Sequence, residues 1–384
     1  MSEIRVVVNP CAAARAEPYG SARAAVLNAE GFAAARREIS AWPGYAPTPL
    51  RVLPGLAARL GLERLWYKDE RTRFGLKSFK ALGGAYAVRC VLERNRGVAA
   101  SALTVTCATD GNHGRSVAWG AQLFGCRCVI FIHEAVSEGR RAAIARYGAK
   151  VVRVPGNYDD AVRHAAAEAA RNGWFVVSDT SYEGYRDVPL DVMHGYGVMA
   201  DEAAEQLGGA APSHVLVQAG VGALGAALCA SFWLRWGAQR PRCVLVEPTR
   251  ADCYYRSIAA GRPVAVHGEL ATVMAGLACG EVSELAWRIL EHGAGAVVAL
   301  DDEWALEAVR ALANPAPGDS PVVAGETGAA GLAALLALAP RADLRRQLGL
   351  GADSRVLLIG SEGDTDPQIY QRIVGRSAEE VLAE

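Results

Sequence analysis

Residues 101–133, SALTVTCATDGNHGRSVAWGAQLFGCRCVIFIH, carry the pattern from which the fold of this chain is read. Leu103–Thr106 is a short apolar, partly β-branched run and predicts a strand. Ala108–Gly114 (ATDGNHG) is a turn by its Asp, Asn and Gly content. His113–Leu123 has the spacing of a helix, and Cys128–Ile132 is a second apolar run of strand length. Strand, helix and strand in that order make a βαβ unit with parallel strands and a right-handed crossover.

The alternation extends outward from this unit. Val151–Val154 and Phe175–Val177 read as further strands, and Ser137–Tyr147, Asp159–Arg171 and Leu190–Gln206 as the helices among them. A second series follows, with strands at Val215–Val217, Val244–Val246 and Val356–Ile359. Upstream, Trp66–Glu70 (WYKDE) ends a strand and Arg71–Gly75 (RTRFG) turns the chain. Two such series predict an α/β protein with two lobes, in keeping with 384 residues at roughly 150 per domain. Asn314–Pro321 (NPAPGDSP) is a loop. The Ala/Arg-rich residues 11–25 give no clear assignment, and no internal repeat is visible.

Composition narrows the function. Half of the residues are hydrophobic while aromatics are 7%, which suits helices packed on buried parallel strands. The formal charge is −1, from 40 basic and 41 acidic residues without a basic block, so nucleic acid and anionic membrane are poor partners. The nine cysteines are scattered, without a CxxC pair or zinc-like spacing, and no metal site is expected. The first residues (MSEIRVVVNP) lack the basic and apolar regions of a signal peptide, so a cytoplasmic location is expected. Val215–Leu234 is almost wholly apolar, but Gln218 and its glycines favour a strand, a turn and a buried helix over a membrane span.

Three turns carry candidate chemistry. Lys77-Ser78-Phe79-Lys80 opens a helical run, ALGGAYAVRCVLERN, and places a lysine where a helix dipole disfavours a cation. Desolvation and that positive field are expected to lower the amine pKa, as suits a Schiff-base lysine. Ala219–Leu224 (AGVGAL) joins a strand to a helix, where backbone N–H groups cradle a phosphate. Its spacing is neither a Walker loop nor a dinucleotide fingerprint. ATDGNHG, also between strand and helix, offers donors to a carboxylate or a ring hydroxyl. Each turn alone has a plainer explanation: solvated lysines, a packing glycine, a helix cap. Their joint presence weakens all three.

Ser78-Phe79-Lys80, Thr109–Gly114 and Gly220–Leu224, in that order, resemble the motifs of fold-type II pyridoxal-phosphate (PLP) enzymes, which include serine/threonine dehydratases and the tryptophan synthase β chain. More narrowly the chain is similar to the 2,3-diaminopropionate ammonia-lyases. PGYAPTPL (43–50), KDERTRFGLKSFKALGGAYA (68–87), ATDGNHGRSVAW (108–119), DTSYEGY (179–185), AGETGAAG (324–331) and SEGDTDP (361–367) carry this likeness across nearly the whole chain. The resemblance implies a two-lobed α/β fold with parallel-rich sheets flanked by helices, residues 1–94 and 201–384 forming a large PLP-binding unit and 95–200 a small one. It implies pyridoxal 5'-phosphate as cofactor, a small amino acid as substrate and a homodimer.

Roles carry over by position. Lys80 would bind the cofactor covalently, and Gly220, Val221, Gly222, Ala223 and Leu224 would hold its phosphate. Asn112 would contact the ring hydroxyl, and either Ser361 or Thr365 the ring nitrogen. Asp110 and Asp179 would act as bases and attract the substrate's extra ammonium, with Thr109, His113 and Tyr182 completing the substrate site. The implied reaction is β-elimination of ammonia, giving pyruvate and a second ammonia. A serine/threonine dehydratase, a β-replacement enzyme and a non-catalytic PLP-binding protein are the alternatives. A nicotinamide-dependent oxidoreductase is disfavoured by the missing fingerprint. Lys77 stands where the family commonly has an uncharged residue, and Tyr182 where a tryptophan is expected.

Overall fold

The computed structural model describes residues 2–109 and 111–383. Eleven strands form two sheets. The larger has seven strands in the order β1-β10-β9-β8-β11-β3-β2. These are β1 (Ile4–Val8), β10 (Ala294–Leu300), β9 (Arg242–Pro248), β8 (His214–Gln218), β11 (Arg355–Gly360), β3 (Arg64–Asp69) and β2 (Leu50–Val52). Only the two edge strands run antiparallel to their neighbours. The smaller sheet has β6 (Lys150–Val154), β5 (Arg127–His133), β4 (Thr104–Ala108) and β7 (Phe175–Val176) in that order, all parallel.

Alternation along the central strands builds two cores. Val215, Val217, Cys243, Leu245, Leu357 and Ile359 point to one face of the large sheet. Leu216, Val244, Val246, Val356 and Leu358 point to the other. Such two-sided burial is what a continuous apolar strand predicts for a parallel sheet. The helix Ala223–Trp236 covers the first face and Ala330–Leu338, buried throughout, covers the second. Removing a side chain such as that of Leu358 from water contributes ~2 kcal/mol.

The expected strands and helices are present, with ends shifted by a few residues. Ser137, read as helical, is instead the N-cap of Glu138–Ala145 and accepts from Arg140 N at 3.2 Å. The helix at Lys80 begins at Lys80 itself and ends at Arg94, so Lys77 lies outside it. Three strands were not expected: β1, β2 and β10. The first two are short edge strands, and β10 (AGAVVAL) opens with small residues and an irregular register at Ala294/Ala296. Val215–Leu234 divides into β8, a turn and a helix, and among the described residues no helix is long and apolar enough to cross a membrane.

The C-terminal ends of β3, β8, β11 and β4 lead respectively into residues 70–79, the Gly220 turn, residues 361–366 and the Thr109 turn. Ligands of open α/β sheets bind outside such strand ends.

Candidate active site

The segment before Lys80 is shaped by its backbone. Phe74, Gly75 and Lys77 all have positive φ, 48°, 70° and 55°. For residues with a Cβ this conformation carries a cost of order 1 kcal/mol, sustained by surrounding bonds. Gly363 N donates to Lys77 O at 3.0 Å, and Phe79 N to Ser361 O at 3.0 Å. Ser78 and Glu362 form a β-bridge. Lys77 turns aside and pairs with the Asp364 carboxylate. Lys80 turns into the cleft and pairs with Asp179, the two side chains being 19% and 17% exposed.

That pairing corrects the expected charge of Lys80. Burial pushes its amine pKa down, but the Asp179 carboxylate more than reverses this and raises it above the ordinary value. Burial likewise opposes ionisation of Asp179, and Lys80, then His113, override it and hold the carboxyl below the usual range. The neighbouring carboxylate, invisible at this range in sequence, outweighs the helix field.

The Gly220 turn is built around absent side chains. Gly220 and Gly222 have φ of 53° and 99°. A Cβ at position 222 would collide with the Tyr254 hydroxyl, and one at 220 would sit 3.2 Å from Gly276 O. Tyr254 Oη donates to Val221 O at 3.1 Å, and Ser283 N to the same carbonyl at 2.9 Å. Gly222 caps the following helix without a side chain. The first-turn N–H groups, those of Ala223 and Leu224 included, therefore have neither an intrahelical nor a side-chain acceptor and suit an anion.

Across the cleft, Ser361 distinguishes itself from Thr365. Ser361 is 1% exposed, and its hydroxyl has no hydrogen-bond partner among the described residues. Thr365 Oγ1 instead donates to Glu362 Oε2 at 3.5 Å. Asn112 is held at both ends of its amide: Nδ2 donates to the Glu362 carboxylate and Oδ1 accepts from Arg115 Nη2 at 2.9 Å. An amine in a cleft, an anion cradle with room only for glycine, and a buried orphan hydroxyl together fit PLP.

The remaining expected residues are placed differently from one another. Asp110 lies outside the described residues. Thr109 Oγ1 accepts from Gly111 N and Gly114 N, both at 3.0 Å, so this hydroxyl shapes the turn. His113 Nε2 lies 2.7 Å from Val177 O. A carbonyl only accepts, so Nε2 carries the proton and the buried, unpartnered Nδ1 presents a lone pair. Burial lowers the His113 pKa. Tyr182 is 57% exposed and stacked on Tyr185, at the rim of this arrangement.

Sequence reading passed over several residues that hold the site. Ser181 and Ser283 bridge the Asp179 segment to the Gly220 turn. A buried network of Thr48, Lys68, Glu70, Arg73 and Glu202 anchors the strand before Lys80. Five charged residues within WYKDERTR, in a chain otherwise apolar in its strands, were the available signal.

Comparison with known proteins extends this picture. A family model described as pyridoxal-phosphate dependent enzyme matches residues 41–362. The diaminopropionate ammonia-lyase of Escherichia coli (strain K12) is 41% identical over 349 residues, covering 86% of this chain and 88% of that protein. Its counterpart from Salmonella typhimurium (strain LT2) is 40% identical over 364 residues, covering 88% and 90%. The crystal structure of the Escherichia coli enzyme in complex with an aminoacrylate-PLP azomethine reaction intermediate superposes with a TM-score of 0.89 at 38% identity, over 97% of each chain.

Proposed function

The chain belongs to the pyridoxal-phosphate-dependent enzymes, and on that premise we propose how its cleft eliminates ammonia from the β-carbon of 2,3-diaminopropionate. It is a carbon–nitrogen lyase of the fold-type II class. With one water consumed, the products are pyruvate and two ammonia. When bound, the cofactor supplies an electron sink for the pair left behind as Cα loses its proton.

The chain's own residues have the following tasks. Lys80 would hold the cofactor covalently through its side-chain amine. The N–H groups from Gly220 to Leu224 take the phosphate. Ser361, through its orphan hydroxyl, meets the ring nitrogen as a neutral partner, and Asn112 orients the ring hydroxyl. Asp179, held ionised, attracts the substrate's β-ammonium, a charge that serine and threonine lack. Asp110 and Asp179, on opposite faces of the substrate, accept the Cα proton of opposite enantiomers. Thr109, His113 and Tyr182 complete the substrate site. The reading includes a homodimer in the cytoplasm, with residues 1–94 and 201–384 as the large unit and 95–200 as the small one, each centred on one of the two sheets.

One observation carries it: Lys80 pairs with Asp179, the segment before Lys80 is bonded to the strand end that bears the orphan Ser361 hydroxyl, and the Asp179 segment is bonded through Ser283 to the Gly220 turn. A substrate panel of D- and L-diaminopropionate, serine and threonine, with ammonia, pyruvate and ketobutyrate quantified, tests it. Diaminopropionate should dominate with two ammonia per pyruvate, and a preference for serine or threonine would move the enzyme to the dehydratases. Asp110→Asn and Asp179→Asn should lose activity unequally on the two enantiomers, and equal losses would overturn the two-face assignment.

A further inference from the structure

Asp179 is given two cations to serve. In the resting arrangement its carboxylate holds Lys80, and in the elimination reading it also takes the substrate's β-ammonium. Once the substrate amine has displaced the lysine, the freed Nζ lies in a buried site and its former partner is engaged elsewhere. A buried amine without a partner is strongly disfavoured, so its next resting point matters to turnover.

The polar groups around Nζ are few. Asp179, Tyr196 and Cys279 act on its charge, and His113 is felt across Asp179. His113 is fixed by its bond to Val177. Tyr196 is different: it is fully buried, and its hydroxyl, which feels the hydrogen bond and charge of Lys80, has no other hydrogen-bond partner among the described residues. Its position results from an unusually close crossing of the helices Lys80–Arg94 and Asp187–Gln206. A Cβ at Gly83 would collide with the Tyr196 ring, and one at Gly195 with Leu82 O. The ring packs against Phe79 at 4.6 Å, with Lys80 Nζ 5.7 Å from its centre.

We propose that Tyr196 is a positioning residue for Lys80, its hydroxyl holding the displaced Nζ by a hydrogen bond while Asp179 is occupied by substrate. The held amine stays within reach of the cofactor carbon that it must attack again to release product. Its contribution falls on the second half of the cycle, after capture of substrate. This inference rests on the elimination reading, because only a substrate with a β-ammonium competes with Lys80 for Asp179.

Tyr196→Phe tests it, since the ring and its packing on Phe79 and Gly83 are kept. Holoenzyme of both forms is mixed with diaminopropionate and followed by rapid visible spectroscopy beside steady-state assays. In the variant, kcat and KM should fall together by about tenfold, less than the roughly 10²–10⁴-fold of a group that itself transfers the proton, because Tyr196 only holds the amine. Their ratio should stay near that of the wild type. The absorbance of the substrate-bound form should persist through turnover, where the wild type returns to its resting band. A variant with wild-type kcat and spectrum would overturn the proposal, as would a loss confined to kcat/KM with the resting band retained. Failure of the elimination reading looks different: the wild type itself would release no ammonia from diaminopropionate. Serine leaves Asp179 free to hold Lys80, so a loss on serine equal to that on diaminopropionate would also overturn the role of Tyr196.

Discussion

The hydroxyls of Ser181 and Ser283 stand 2.7 Å apart, both buried, and join two segments 102 residues apart. Ser283 Oγ also accepts from Ser181 N at 3.0 Å, and Ser181 Oγ from Leu285 N at 2.8 Å. Because Ser283 N donates to Val221 O, the same serine binds the Asp179 segment and the phosphate turn.

Replacing Ser283 by alanine leaves the Ser181 amide and hydroxyl short of partners in a dry site. Such losses cost ~1–3 kcal/mol. Ser283→Ala should lower the melting temperature by a few degrees and raise both KM and the Kd for PLP. Cofactor titration of the apoenzyme checks this. An unchanged Kd would mean that the serine pair does not tie the two segments together.

Gly222→Ala should damage cofactor binding more than folding. The added methyl group meets the Tyr254 hydroxyl, and φ of 99° is strained for alanine. The expected result is a Kd for PLP raised at least about tenfold, equivalent to ~1.4 kcal/mol. Equilibrium dialysis with the visible band as readout would show it, and a wild-type Kd would remove the turn from the phosphate site.

Glu202 ties Lys68 to Arg73 through carboxylate bonds of 2.7–2.8 Å. Burial pushes its carboxyl up, but the Arg73 and Lys68 cations pull it down to about 2. A carboxylate held below its unfolded value stabilises the fold above pH ~4.5, and that contribution is lost as pH falls toward 2. Glu202→Gln removes one partner from a buried ionic network and should cost ~3–5 kcal/mol at neutral pH. It should also lessen the decline of stability below pH ~4.5, as thermal melts between pH 3 and 7 would reveal. A variant as stable as the wild type would contradict the network's anchoring role.

Glu247 works in the opposite sense. Wholly buried behind the phosphate turn, its carboxyl is pushed up by burial to about 8, despite accepting from Tyr254 N and Tyr255 N. The folded protein therefore binds a proton that the unfolded chain has released above pH ~4.5. Stability from this group falls as pH rises through that window and levels off above about 8. Glu247→Gln should flatten this slope and leave the protein relatively more stable at pH 8 than at pH 5. Chemical denaturation at those two pH values measures it, and parallel slopes in both proteins would refute the assignment.

The sequence was most informative where chemistry and periodicity coincide. The βαβ alternation located the central strands because buried parallel strands are apolar on both faces, as Leu357 and Leu358 illustrate. It missed β1, an edge strand at the start of the sequence, and also β2 and β10, whose short length or small residues carry little hydrophobic signal. Lys80, Asn112 and the Gly220 turn were legible because their neighbours constrain the backbone. Tyr196 and Ser283 were not, since a tyrosine within MHGYGVM or a serine within EVSELAW resembles any buried residue. The choice between Ser361 and Thr365 required knowing which hydroxyl lacks a partner. The charge of Lys80 was misjudged because Asp179, nearly a hundred positions away, becomes its neighbour only through the fold.

The place of β11 between β8 and β3 sets the timetable of assembly. The strand that leads to Ser361 is synthesised well after β3 and β8, yet it lies between them in the sheet. A nascent chain that ends before residue 355 has a gap in the middle of its large sheet, with the edges of β8 and β3 unpaired. Chains stalled on the ribosome before residue 355 should therefore remain colourless and dependent on chaperones.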